Sequence, residues 1–356
     1  MLRSPFFYFI ILLFLFSCEE KKTITTNTDS IRKEALTLRN QGIKNYEKQN
    51  FNTSFYEFNK SKQLYETLKD SANIGYVLIQ MAFIQQVNGD YYGSKETVTE
   101  ALTYVKKKSI YTAIINNTLG IADKELSLYN DAIHYYQEAT KDYKDPVEKQ
   151  IPLSNIAALY IQQKKYDDAI IILESLLNKK TLKEKTPEIS KSSFQDNLGY
   201  AYFKKGMDEK GFQLMNEALQ IRNEIKNTYG SIESYLHLAD YYAKKDIQKS
   251  NKNALAAYNT ATKLNSVDER LEALQILISN NHGAQNRKYV QRYFSLNDSI
   301  IKVRNNFKNK FAKIKYDAKK EKDENATLRL EKAENQLALQ KANYLRIGFV
   351  ILFIFL

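Results

Sequence analysis

The chain's 356 residues could bury a large core, but with only 11 Gly and 4 Pro they do not suit a fold of many tight turns. Abundant Tyr (26) and Phe (18), many Lys and Glu, and no Trp favour an all-α chain instead. One cysteine excludes an intrachain disulfide framework, and the net charge of +12 is uneven: residues 302–346 hold 13 Lys/Arg against 6 Asp/Glu, a net of +7.

Met1-Leu2-Arg3 is a short cationic start, and Phe6–Phe16 follows as eleven uninterrupted apolar or aromatic residues before Ser17-Cys18. Charged head, apolar run too short to span comfortably and small-residue end are the parts of a secretion signal over residues 1–18. Leu15-Phe16-Ser17-Cys18 resembles a bacterial lipobox, which implies lipidation of Cys18 as the first residue of the mature chain. Phe16 is bulky for its place in that motif, so an uncleaved signal anchor is the alternative; either reading exports the chain. Residues 19–30 are rich in Thr, Asn and Asp without apolar periodicity and predict a flexible tether.

Internal self-similarity then takes over. A small residue recurs in a first helix at Gly42, Ala82, Gly120, Ala157, Gly199 and Ala239, at steps of 37 to 42 residues. Phe51, Tyr91, Tyr129 and Tyr166 take a turn position after the first four. A small–large–small triplet at spacings of four and three follows: Ser54–Phe58–Ser61, Ser94–Val98–Ala101, Ala132–Tyr136–Ala139 and Gly211–Met215–Ala218, with Ala169–Leu173–Leu176 keeping the spacing but ending in a large residue. The sixth copy reads as Ala254–Tyr258–Ala261, with three extra residues in the turn around Asp246–Asn253.

These residues resemble the tetratricopeptide repeat family from about Ile31 to Leu264, departing from it in lacking Trp and most of the Pro after second helices. The resemblance implies an α-solenoid, a right-handed superhelix of helical hairpins that bury their apolar faces on one another. Steps above the basic repeat of about 34 residues imply longer helices. A degenerate seventh pair, with Leu271, Leu274, Leu277, Tyr289, Tyr293 and Leu296, reads as a cap that closes a solenoid over 31–303.

Residues 304–346 contain no Gly or Pro and predict one long basic helix of roughly 60 Å. Phe307, Phe311, Ile314 and Ala318 form a seam at 4-3-4 spacing, which shifts later to Leu330, Ala333 and Leu337. The interrupted heptads leave two readings open, a coiled-coil homodimer and a solvated, charge-laced helix. Ile347–Leu356 is purely apolar; its ten residues cover about 15 Å, half a hydrocarbon core. It reads as the start of a truncated transmembrane helix, or as a tail that only dips into a membrane.

No phosphate-binding loop, GxGxxG, GxSxG or HExxH occurs, and the three histidines (His134, His237, His282) fall in separate repeats. Enzymatic activity, a metal and a cofactor are therefore not expected, and His237 reads as an ordinary first-helix residue. The resemblance implies that first-helix residues near the anchors face a concave groove: Asn117, Ser154, Asn155, Asp196, Asn197, Tyr200, Phe203 and Asp240. Asn and Asp there could clamp a peptide backbone while Tyr200 and Phe203 cover its side chains. A solvated groove with no particular ligand is the alternative.

The order signal, tether, hairpins, basic helix and apolar end resembles the sensor half of bacterial tetratricopeptide-containing membrane signalling proteins. Phe311–Tyr316, followed by alternating Lys and Glu, resembles the linker of that group, whose output is a histidine kinase or helix-turn-helix module; no output residue occurs in this sequence. That resemblance implies repeats on the periplasmic side of a membrane and a protein or peptide partner, and export of the chain argues against nucleic acid at the basic helix. The competing reading is a complete envelope lipoprotein that serves as an assembly scaffold.

Overall fold

A computed structural model of the chain describes residues 21–178 and 186–355. Among the described residues there are helices and turns but no strand. In chain order the helices are α1 (Lys21–Glu47), α2 (Phe51–Thr67), α3 (Ser71–Val87), α4 (Tyr91–Ala101), α5 (Ile110–Glu125), α6 (Tyr129–Asp142) and α7 (Gln150–Gln162). Then follow α8 (Tyr166–Asn178), α9 (Glu188–Lys204), α10 (Asp208–Glu224), α11 (Thr228–Tyr242), α12 (Ile247–Lys263), α13 (Val267–Asn280) and α14 (Gly283–Phe355). Consecutive helices pair as hairpins, and the fold is a tetratricopeptide-type array.

The aromatic turn residues Phe51, Tyr91, Tyr129 and Tyr166 each open a second helix. The small anchors are buried, and Gly42 and Gly120 are covered by the rings of Phe58 and Tyr136. Volume is balanced across the pair: Gly faces Phe, Tyr or Met at the triplet's middle position, whereas Ala faces Val, Leu or Ala. The scarcity of glycine has a local explanation too. Most reversals place an ordinary residue in the left-handed region, as at Gln49 (φ 60°), Lys69 (φ 55°), Ser127 (φ 61°) and Lys164 (φ 61°). Each is held by the same paired closure, such as Asn50 N–H to Asn45 O at 2.8 Å with Gln49 N–H to Tyr46 O at 2.9 Å.

Three expectations are corrected. The tether over 19–30 is helical from Lys21 onward, as the start of α1. In the sixth hairpin there are no extra residues: α12 has 17 residues, as α2 and α10 do, and Ser250 follows Ala239 as closely as Ser54 follows Gly42. Asp246 caps α12, and Ser250, fully buried, donates to Ala239 O at 2.7 Å, as Ser54 donates to Gly42 O at 2.7 Å. The true triplet is Ser250–Ala254–Ala257, one turn earlier than the pattern of Tyr258 suggested. Finally, the cap's second helix and the basic helix are one element of 73 residues, with no break at 303–304. That element continues through Phe355, and no helix among the described residues is long and apolar enough to cross a membrane. The signal and Cys18 lie outside the described residues.

The chain divides into two compact units. One comprises the described part of residues 1–70 with 309–355, and the other residues 71–308. In the first unit α14 packs on the opening hairpin. Phe311 is fully buried and stacks on Phe55 with ring centroids 4.5 Å apart, and Gln63 donates to Ala318 O at 2.7 Å. Lys322 pairs with Glu66 at 2.7 Å, and Lys60 pairs with Glu321. The seam expected to pair two copies is thus occupied within the chain at Phe311 and Ala318. In the second unit Leu274, Leu277 and Tyr289 are buried against Ala239 and Ala254.

Candidate functional site

Within the second unit a cavity of about 510 Å³ opens among the first helices. Its walls include Lys124 from α5, Ile189 and Ser193 from α9, Arg222 from α10, Glu233 and His237 from α11, and Glu269 and Glu272 from α13. Residues from the third, fifth, sixth and seventh hairpins therefore meet around one space. The array's curvature brings them together; no short stretch of sequence could.

Beneath this cavity lies a buried ionic network. Arg222 is 1% exposed and Asp196 0%. The guanidinium donates through one terminal nitrogen to Asp196 Oδ2, Gly230 O and Ser234 Oγ, each at 2.7 Å, and through the other to Glu233 at 2.9 Å. His237 Nδ1 lies 3.1 Å from the same Asp196 oxygen. The ring stacks flat on Tyr200, centroids 4.0 Å apart and 8° between planes. Burial alone would push the Asp196 carboxyl up, but His237 and Arg222 outweigh it and hold it below its ordinary value. Burial opposes the His237 imidazolium; Asp196, by charge and hydrogen bond, reverses that and raises it.

At the cavity wall, Glu269 accepts from the Tyr229 hydroxyl at 2.6 Å and Glu233 from Arg222. Glu272 has no hydrogen-bond partner in the chain among the described residues. Loss of bulk water in the groove raises its carboxyl; His237 opposes this, and Glu233, Glu269 and Asp240 add to it. The wall can therefore receive a group that donates hydrogen bonds and carries positive charge.

The residues expected to clamp a ligand are mostly joined to one another. Positions one repeat apart form ladders: Asn155 donates to Asn117 at 3.3 Å, and the Tyr200 hydroxyl to Asp240 at 2.8 Å. Lys204 reaches the same Asp240 oxygen at 3.0 Å. Asp196 and Asn197 are buried, so neither can clamp a ligand; Ser154, Asn117 and Asn155 are half-buried. Phe203 packs against Tyr241, centroids 5.2 Å apart, and lines no part of the cavity. His237, read as ordinary, joins the buried network to the cavity, as Arg222 and Glu233 do. Arg222, Glu233, Glu269 and Glu272 were not anticipated, since each looks in sequence like a solvated helix charge.

No family model matches the sequence, and no curated protein is similar to it. Among solved structures the chain is similar to the apo form of RapI, with 11% identity over 76% of this chain and 99% of that one, and a TM-score of 0.64. It is also similar to a Rap protein complexed with competence and sporulation factor (10% identity, 76% of each chain, TM-score 0.59). A third is the Rap conjugation gene regulator of plasmid pLS20 in complex with the Phr* peptide (12% identity, 81% of each chain, TM-score 0.58). At such identities the likeness is one of fold: a helical-hairpin array like that of the Rap proteins.

Proposed function

We propose that this chain is an exported, membrane-tethered scaffold that binds a peptide, or a peptide segment of a partner protein, in the groove of its second unit. The observation that carries the reading is the cavity of about 510 Å³ walled by Glu233, Glu269 and Glu272, the last with an uncommitted carboxylate. One protein of similar fold is in complex with the Phr* peptide and another with competence and sporulation factor, which supports a groove of this kind as a peptide receptor. The acidic wall favours a segment with a Lys or Arg side chain or a free amino terminus.

The test is selection of peptides from a random library by the full-length chain in detergent, repeated with Glu272→Gln. Retained peptides should be enriched in basic residues, and Glu272→Gln should weaken them about tenfold, near 1.4 kcal/mol. If no peptide is retained the scaffold does not act through this cavity; retention without basic enrichment removes the role of the wall.

Tethering rests on the sequence of the first 18 residues and on the lipobox-like run at Cys18. In a signalling protein of the kind this order resembles, α14 would lead from the array toward the membrane. Growth with a labelled fatty acid should give a labelled chain, and Cys18→Ser should abolish the label. An unlabelled wild-type chain that retains Met1 would leave the apolar start as an uncleaved anchor.

A further inference from the structure

In the first unit, α14 is covered where it crosses the opening hairpin and bare beyond it. Leu330 is 66% exposed, Leu337 53%, Tyr344 74% and Ile347 55%. These are not scattered. Ala326, Leu330, Ala333, Leu337, Gln340, Tyr344, Ile347 and Ile351 follow one another at strict 4-3 spacing. The covered seam, continued past Ala318, would run through Glu321, Asn325, Leu328, Lys332, Asn335 and Leu339, polar at four of six places. It ends where its intrachain partner ends. A second apolar stripe begins as the first stops, on a different face of the same helix.

We infer that this second stripe is the seam of a parallel, in-register pair with a second copy of the chain. Leu330, Leu337 and Tyr344 then take the a positions of the heptad, and Ala333, Gln340 and Ile347 the d positions. This register sets Arg329 at g and Glu334 at the following e, so Arg329 of each copy faces Glu334 of the other. Neither residue has an ion-pair partner among the described residues. That charge complementarity selects a second copy as the occupant, and Gln340 selects the direction, because its d position meets the same amide of the other copy only in a parallel pair. Gln340 meets Gln340 of the second copy and fixes the register, since a slip would bury each amide without its partner. Pairing also sets the two apolar ends, from Ile347 onward, side by side.

The test uses the full-length chain in detergent with Cys18→Ser, so that an introduced cysteine is the only thiol. Under mild oxidation, Leu330→Cys and Tyr344→Cys should each give a disulfide-linked dimer. Asn335→Cys, on the outer face at f, should react at least tenfold more slowly. Adding Arg329→Glu should slow the Leu330→Cys reaction severalfold, and adding Glu334→Arg as well should restore it. Linkage of Leu330→Cys to Tyr344→Cys with neither linking to itself would mean an antiparallel pair. That result, equal rates at Asn335 and Leu330, or no response to charge reversal would each overturn the assignment.

Discussion

Replacing Arg222 by Met should destabilise the second unit by about 3–5 kcal/mol, among the largest single-residue losses in the molecule. The substitution leaves the fully buried Asp196 carboxylate facing His237 alone, with Ser234 and Gly230 O also losing their donor. Asp196→Leu with Arg222→Met removes both charges and should recover much of the loss, because an apolar pair of similar volume avoids the desolvation that the ion pair must overcome. The network is not saturated even as it stands: Asp196 Oδ1 and Arg222 Nε lack partners among the described residues. Thermal unfolding of the full-length proteins, with amide exchange over α9–α11 to localise the loss, checks both variants. A double variant as unstable as Arg222→Met would mean that the network stabilises through shape and not through charge.

The same network sets a pH window. Asp196 titrates below its ordinary value of 3.8, so its contribution is present above that pH and is lost as pH falls through the lower folded value. His237 titrates above 6.5, so its contribution is complete below that pH and fades as pH rises through the folded value. The contribution of this pair should therefore be highest from about pH 4 to 6.5 and decline on the alkaline side, while Glu272, whose carboxyl is raised by burial, removes stability as pH rises above 4.5. His237→Gln should flatten that alkaline decline.

The repeat register was legible because it rests on excluded volume. Gly42 opposite Phe58 and Gly120 opposite Tyr136 can be read as complementary sizes without coordinates. The sixth hairpin was misread where a competing pattern existed: Tyr258 fits the large middle position, while Ser250 does its work through one hydrogen bond to Ala239 O that composition does not reveal. The site was largely hidden. Arg222 lies 26 residues from Asp196, and Asp196 lies 41 from His237, separations that only the stacking of hairpins converts into contact. The seam at Phe311 illustrates a different limit. An apolar stripe says that something covers it, not whether the cover is another copy or the chain's own first hairpin.

Packing at the fifth hairpin gives the other large expected effect. A Cβ at Gly199 would lie 2.8 Å from Gly211 O and 2.9 Å from Met215 N, and one at Gly211 would lie 2.7 Å from both Gly199 O and Phe203 N. These are backbone atoms, so no side-chain rotation can relieve the clash; α9 and α10 must move apart. At Gly42 the obstacle is the Phe58 ring, at 2.9 Å, which can shift. Gly199→Leu should therefore cost 3 kcal/mol or more, at or beyond the top of the overpacking range of about 1–3 kcal/mol. Gly42→Ala should fall near the bottom of that range. Gly348, with nothing within 4 Å in the middle of a helix, supplies the opposite sign: Gly348→Ala should be neutral or stabilising by up to about 1 kcal/mol. Because each hairpin contacts mainly its neighbours, amide exchange should locate the Gly199→Leu damage in α9–α10 and the adjoining α8 and α11. If thermal unfolding does not rank Gly199→Leu below Gly42→Ala and Gly42→Ala below Gly348→Ala, helix approach at the anchors is not what limits the packing of this array.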